Sequence, residues 1–140
     1  MLWCAGRFAF PLVREELLGF YDSAAEDGQT SLIAAVNAED KMVGFFMMRR
    51  LSESAGSAHL GFIVINPKYR GRGYGKTMLL LALQAASDQQ ISRLTLAVFE
   101  RNQAAHRCYT AVGFRDEAYQ QDGFSYHGKP WPRYRMAIDL

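Results

Sequence analysis

The stretch Ile65-Asn66-Pro67-Lys68-Tyr69-Arg70-Gly71-Arg72-Gly73-Tyr74-Gly75-Lys76-Thr77 decides how the rest of the chain is read. An apolar, β-branched run precedes it, His59-Leu60-Gly61-Phe62-Ile63-Val64-Ile65. A helical pattern follows, in which Gly75, Met78, Leu79, Ala82, Leu83 and Ala86 recur on one face of a helical period. A strand therefore feeds a glycine-rich turn, and the turn feeds a helix. Glycines let a backbone approach a ligand closely. A helix start offers unpaired N–H groups and the positive end of the dipole, which suits a phosphate. The charges agree: no acidic residue lies between Ser54 and Ser87, while Lys68, Arg70, Arg72 and Lys76 crowd the helix start. Two phosphate-loop patterns each fail by one residue. G-x-x-x-x-G-K-[ST] needs a glycine where Arg70 stands, and G-x-G-x-x-G needs one at Lys76.

Outward from this turn the elements are short and regular. Toward the N-terminus, Ser31–Asn37 and Met42–Arg50 are apolar runs separated by Ala38-Glu39-Asp40-Lys41, a β-hairpin pattern. Before them, Pro11 and the pair Glu15-Glu16 suit a helix start, and Asp27-Gly28 ends that unit. A short first strand is expected from Trp3 to Phe8. Toward the C-terminus, Arg93–Phe99 reads as a strand. Asn102–Val112 reads as a helix capped by Asn102 and stopped by Gly113. Phe114–Gln120 and Arg133–Leu140 read as a final antiparallel pair. This order describes one mixed α/β layer domain over residues 1–140.

Composition narrows the function classes. The 140 residues carry 16 Lys+Arg against 14 Asp+Glu, a net charge of +2, too mild for a general nucleic-acid binder. Hydrophobic residues at 49% and charged residues at 21% exclude a disordered chain. Cys4 and Cys108 are too few and too far apart for a disulfide framework or a zinc site, and read as reduced thiols. No metal site is expected. The longest apolar run, Met78–Leu83, falls far short of the roughly 20 residues of a membrane span. The first residues lack a basic segment followed by an apolar one, so no signal peptide is expected, and the expected location is cytoplasmic.

The pattern [RQ]-x-x-G-x-[GA] is met in full by Arg70, Gly73 and Gly75, and Ile65–Gly75 resembles the acetyl-coenzyme A motif of the GNAT N-acetyltransferase superfamily. A second block, Asn102-x-x-Ala105-x-x-x-Tyr109-x-x-x-Gly113-Phe114, is similar to another block of that family, one helix and one strand further on. The resemblance covers Leu60 to Phe114. It implies a mixed, mostly antiparallel twisted sheet flanked by helices and splayed open between His59–Ile65 and Arg93–Phe99. Relative to that family the chain is expected to be shortened at its N-terminus, where one wall of the acceptor site would lie. The resemblance implies acetyl-CoA, or another acyl-CoA, as co-substrate. Its diphosphate would sit on the backbone of Gly71, Arg72, Gly73, Tyr74, Gly75 and Lys76. The backbone of Ile63, Val64 and Ile65 would pair with the pantetheine arm like an extra strand, and one N–H there would polarise the thioester carbonyl. Asn102 would contact the same arm.

Direct acetyl transfer needs a free amine and a proton for the departing thiolate. Tyr109 matches the family's general acid, although it also falls on the apolar stripe Ala105, Cys108, Tyr109, Val112. A position that some members fill with a glutamate base is His59, and a histidine titrates near neutral pH. Another such glutamate position is Ala97, so that base is missing. Deprotonating a lysine amine at pH 7 costs ~4.6 kcal/mol, an α-amine about one pKa unit, so a weak base favours a low-pKa amine. His106 and His127 have no partner motif, and Glu53 and Glu100 read as solvated carboxylates. The segment Tyr119–Arg133, with Tyr126, His127 and Trp131, reads as an acceptor wall. The expected partner is a small-molecule or peptide amine, with neither nucleic acid nor membrane, and a second copy of the chain could complete the wall. Two rival readings stand beside the enzyme: a non-catalytic acyl-CoA-binding or sensing module, and a nucleotide-phosphate enzyme built on Gly75-Lys76-Thr77.

Overall fold

The alternation of Met42–Arg50 sends Phe46 and Met48 to one side of a strand, and both are almost fully buried. The computed structural model describes residues 15, 18, 19, 22, 23 and 26–140, and the few described positions before Asp27 are helical. The expected strand at Trp3–Phe8, and Cys4, lie outside the described residues. The elements that follow are β1 (Thr30–Val36), β2 (Met42–Arg50), β3 (Ser57–Ile65), a 3-10 turn (Pro67–Tyr69), α1 (Tyr74–Asp88), β4 (Arg93–Phe99), α2 (Gln103–Val112), β5 (Arg115–Gln120), β6 (Ser125–Tyr126), β7 (Lys129–Pro130) and β8 (Arg133–Asp139). The β1–β2 turn closes on Asn37, whose Oδ1 accepts from the N–H groups of Glu39 and Lys41 at 2.9 and 3.0 Å.

A six-stranded sheet runs β1-β2-β3-β4-β8-β5, and every pairing is antiparallel except β3 with β4. The final antiparallel pair forms as read, with β8 inserted between β4 and β5. The short β6–β7 ladder in the connecting loop has no counterpart in the sequence reading.

One face of the sheet packs against both helices. Met78, Leu79, Ala82 and Ala86 of α1 and Tyr109 of α2 meet Leu60, Leu94, Leu96, Met136 and Phe114. Each fully buried leucine there contributes ~1.5–3 kcal/mol. Helix α2 starts on Asn102, whose Oδ1 accepts from Ala105 N at 3.2 Å, and ends on Gly113 at φ 121°. Helix α1 starts on Gly73 in the left-handed region, with no side-chain cap.

Strand β3 departs from expectation. It reads as a buried strand, yet only Ser57, Ala58 and Leu60 are buried, while residues 61–65 are half-exposed. The reason is the loss of its neighbour: β4 pairs with β3 at only three positions, Ser57↔Arg93, Ala58↔Leu94 and His59↔Thr95. On the β2 side β3 is bulged, so Phe45 opposes Val64 while Met47 opposes Gly61. Phe62, inside the bulge, takes φ 48°.

Gly44 of β2 sits where a Cβ would press into the Val64 carbonyl oxygen. Gly44→Ala is expected to cost ~1–3 kcal/mol, because backbone rather than a flexible side chain must give way. Urea unfolding measures the loss.

Candidate active site

Past the His59↔Thr95 rung, β3 and β4 part and leave a cleft of about 120 Å³. Residues 60–63 form one wall and residues 97–99 the other, with Asn102, Tyr109 and Arg133 completing the lining. Along this opening β3 has β2 on one side and no strand on the other, which leaves an edge that an extended chain can pair with.

At the far end of β3 the glycine-rich turn leads into α1. Among the described residues, the backbone N–H groups of 71–76 donate to no acceptor: Arg70 N reaches Pro67 O, and the next donor is Thr77 N to Gly73 O. Gly71 and Gly73 take φ 75° and 79°, and a Cβ at either would meet nothing within 4 Å. Both glycines are therefore required by backbone conformation, and the space over them is open. The side chains hold the turn from outside. Arg70 Nε donates to Ile65 O at 3.3 Å, the Arg72 guanidinium lies over the Tyr69 ring at 5.9 Å, and Tyr69 stacks edge-on with Tyr74. Asn66 Oδ1 accepts from Lys68 N at 3.0 Å. The ring contact and the Arg70 bond give Arg72 and Arg70 a shaping role besides their charge. A Cβ at Gly75 would meet Cys108 Sγ and Ile65 at ordinary van der Waals distance, 3.8 Å each, which marks how α2 and the end of β3 lie against the head of α1.

Tyr109 belongs to the core and to the cleft together. It is 8% exposed and packs edge-on to Phe114 while lining the cleft. Burial pushes its phenol up to about 12, with the Cys108 thiol a second cause. Cys108 is a free thiol, itself raised by burial against the opposing pull of Lys76. Asn102 caps α2 through Oδ1 and also lines the cleft.

His59 is placed differently. Ala58 and Leu60 point into the helix-covered core, so the pleat sends His59 to the other face. Its Nδ1 lies 2.9 Å from Thr95 Oγ1, on the last rung before the strands part, and it does not line the cleft around Tyr109. The structure thus brings Ile63, Asn102 and Tyr109 together and leaves His59 at the closed end.

The loop 119–133 forms a wall of rings. Phe99 meets Trp131 at 5.4 Å and Phe124 at 5.7 Å, Tyr126 meets Trp131, and the Arg101 guanidinium covers Trp131 at 4.5 Å. Glu100 is an exposed carboxylate, and it accepts from the Tyr119 hydroxyl at 2.6 Å, which pushes that exposed phenol up to about 12. Arg133, the last residue of the segment read as an acceptor wall, lines the cleft itself, a place the sequence reading does not single out. Only the insertion of β8 beside β4 brings it there, and no local pattern signals that. Among the described residues no group of His, Cys, Asp and Glu could hold a metal ion, and no helix is long and apolar enough to cross a membrane.

Comparison with known proteins agrees with this geometry. A UPF0039 protein of Schizosaccharomyces pombe is 32% identical over 106 residues, 74% of this chain and 64% of that protein. The peptidyl-lysine N-acetyltransferase YjaB of Escherichia coli is 31% identical over 110 residues, 78% of this chain and 65% of that protein. The chain thus spans just under two thirds of these relatives. A spermidine N-acetyltransferase from Vibrio cholerae, solved with CoA and spermine, superposes with a TM-score of 0.84 at 23% identity, covering 94% of this chain and 79% of that one. It shares the fold, and so does a dodecameric form of a spermidine N-acetyltransferase from the same organism, at a TM-score of 0.78 and 23% identity over 89% and 73% of the two chains. The acetyltransferase (GNAT) family profile matches residues 2–114, and the chain belongs to that family.

Proposed function

We propose that this protein is an acetyl-CoA-dependent N-acetyltransferase that acts on a primary amine of a small molecule or peptide. The observation that carries the reading is the pairing of a strand edge opened at His59↔Thr95 with six consecutive unpaired N–H groups at the head of α1. Acetyl-CoA supplies an acetyl thioester: the amine nitrogen bonds to the acetyl carbon, the carbon–sulfur bond breaks, nitrogen loses a proton and sulfur gains one. The backbone of residues 71–76 holds the diphosphate, helped by the positive end of α1. Ile63, Val64 and Ile65 offer backbone to the pantetheine arm, and the Asn102 amide reaches the same channel.

Tyr109 holds the proton that sulfur needs. A phenol raised by burial stays protonated throughout the working range, which suits an acid and excludes a base. His59, fixed at the closed end by Thr95, is the proposed base, acting on the acceptor side of the sheet. Retention of Tyr109 inside the cleft favours the enzyme over a non-catalytic acyl-CoA-binding module. The nucleotide-phosphate reading loses its ground, since the loop opens on Arg70 with its side chain tied to β3. We place the protein in the cytoplasm, where Cys108 stays reduced, and assign the completion of the acceptor wall to a second copy of the chain.

Gly73→Ala is expected to cost only ~1–2 kcal/mol of stability, the strain of a left-handed alanine, since nothing in the chain opposes the new methyl. Its acetyl-CoA affinity should fall about tenfold or more by calorimetry, because the methyl stands over the N–H cradle. Tyr109→Phe should lower kcat by ~10²-fold with the melting temperature nearly unchanged. With Tyr109 intact, kcat/KM should rise with pH as the amine and the proposed base lose their protons, and show no fall before pH 10. A tyrosine at its ordinary pKa near ~10 would already be losing its proton there. His59→Ala should flatten the acidic limb of that profile, and a limb identical to wild type would remove His59 from the mechanism.

A further inference from the structure

Among the described residues that line the cleft, one carries a charge, and it is Arg133. No carboxylate faces it there. Arg133 opposes Phe99 of β4 and Gln120 of β5, so the three side chains share one sheet face. Val98, on the other face, packs into the helix-covered core. The next arginines on this face are paired with acids: Arg135 with Glu117, Arg93 with Glu117 and Asp139, Arg115 with Asp139. Arg133 is the exception. Its Nε donates to the neutral Gln120 Oε1 at 2.6 Å, and its two terminal nitrogens have no partner among the described residues. The arm is also seated by shape. A Cβ on Gly123 would stand 2.8 Å from Arg133 Nε and 3.0 Å from its Cγ, so the glycine leaves the space that the arm occupies.

A guanidinium held by its Nε presents its remaining donors as a fork that matches a carboxylate. The same charge opposes a second cation in the cleft. We infer that Arg133 reads a carboxylate on the acceptor, so that the acceptor is an amino-acid-type amine rather than a polyamine. This rests on the acetyl-transfer reading above, and it names the substrate class of that same site.

The test is thiol release from acetyl-CoA with matched amines, each with and without its carboxylate: phenylalanine against phenethylamine, lysine against cadaverine, ornithine against putrescine. In the wild-type protein the carboxylate-bearing member is expected to lead by about tenfold or more in kcat/KM. Arg133→Gln should collapse that ratio about tenfold, and Arg133→Glu should reverse it toward the diamines, a gain that misfolding cannot produce. Differences in amine pKa cancel when the ratios of variant and wild type are compared. Gly123→Ala, which pushes on the arm without removing the charge, should weaken the preference while Gln120→Ala loosens it in the same direction. The acetyl-CoA KM should stay within about twofold throughout.

A wild-type preference for the decarboxylated members overturns the inference, as does a ratio unchanged in both Arg133 variants. Equal loss of every acceptor, or a raised acetyl-CoA KM as the sole effect, also overturns it, the latter by assigning Arg133 to the co-substrate. Thiol release that ignores the carboxylate leaves acetyl transfer standing and removes the inference alone. No release with any amine removes both.

Discussion

The rung that joins His59 to Thr95 is the point on which the molecule turns, because it is the last place where β3 and β4 share hydrogen bonds. A parallel ladder that stops after three pairs leaves backbone donors and acceptors on both strands with nothing opposite. A buried polar group without a partner costs ~1–3 kcal/mol, so the opening must admit water or a ligand. The bulge at Phe62 bends β3 against β2, which keeps its own hydrogen bonds on that side while β4 follows β8 away. The half-exposure of residues 61–65 is the visible result, in a run whose composition is that of a buried strand.

The glycine start of α1 completes what the parted strands begin. A serine or asparagine at position 73 could turn its side chain onto the first N–H groups of the helix and satisfy them internally. Gly73 cannot, and its left-handed backbone leaves those donors facing open space. The anchoring is carried by neighbours instead: Arg70 onto the Ile65 carbonyl, Asn66 onto Lys68, and the Tyr69–Tyr74 pair beneath Arg72. The strand edge and the N–H cradle are therefore held at a fixed relation by a loop whose own side chains do not fill the cradle.

What could be read in the sequence follows the range of the forces involved. The bounds of β2 and β4, the Asn102 cap and the Gly113 stop are local matters of pattern and hydrogen bonding, and they stand as read, while Asn37, read as the end of a strand, instead closes the hairpin turn with its side chain. The N–H cradle was legible because glycine and charge spacing carry it. The insertion of β8 between β4 and β5 is a long-range pairing that no local pattern encodes, and Arg133 enters the cleft only through it. The bulge was hidden for another reason: a phenylalanine, not a glycine, takes the positive φ at position 62. The side of the sheet on which His59 lies depends on register, since one residue of slip would exchange it with Leu60.

Tyr109 shows why a place in the core and a place at the cleft need not compete in one residue. Its place on the stripe with Ala105, Cys108 and Val112 puts it against Phe114 and the sheet, where little water reaches it. That burial disfavours the phenolate, and the same loss of water strengthens any hydrogen bond the hydroxyl makes inside the cleft. An exposed tyrosine with no hydrogen-bond partner would keep its ordinary pKa and wander through several rotamers. A fully enclosed one could not meet a departing sulfur. Tyr109 is packed on its ring and lines the cleft, so the packing that stabilises α2 also fixes where this residue stands beside the cleft.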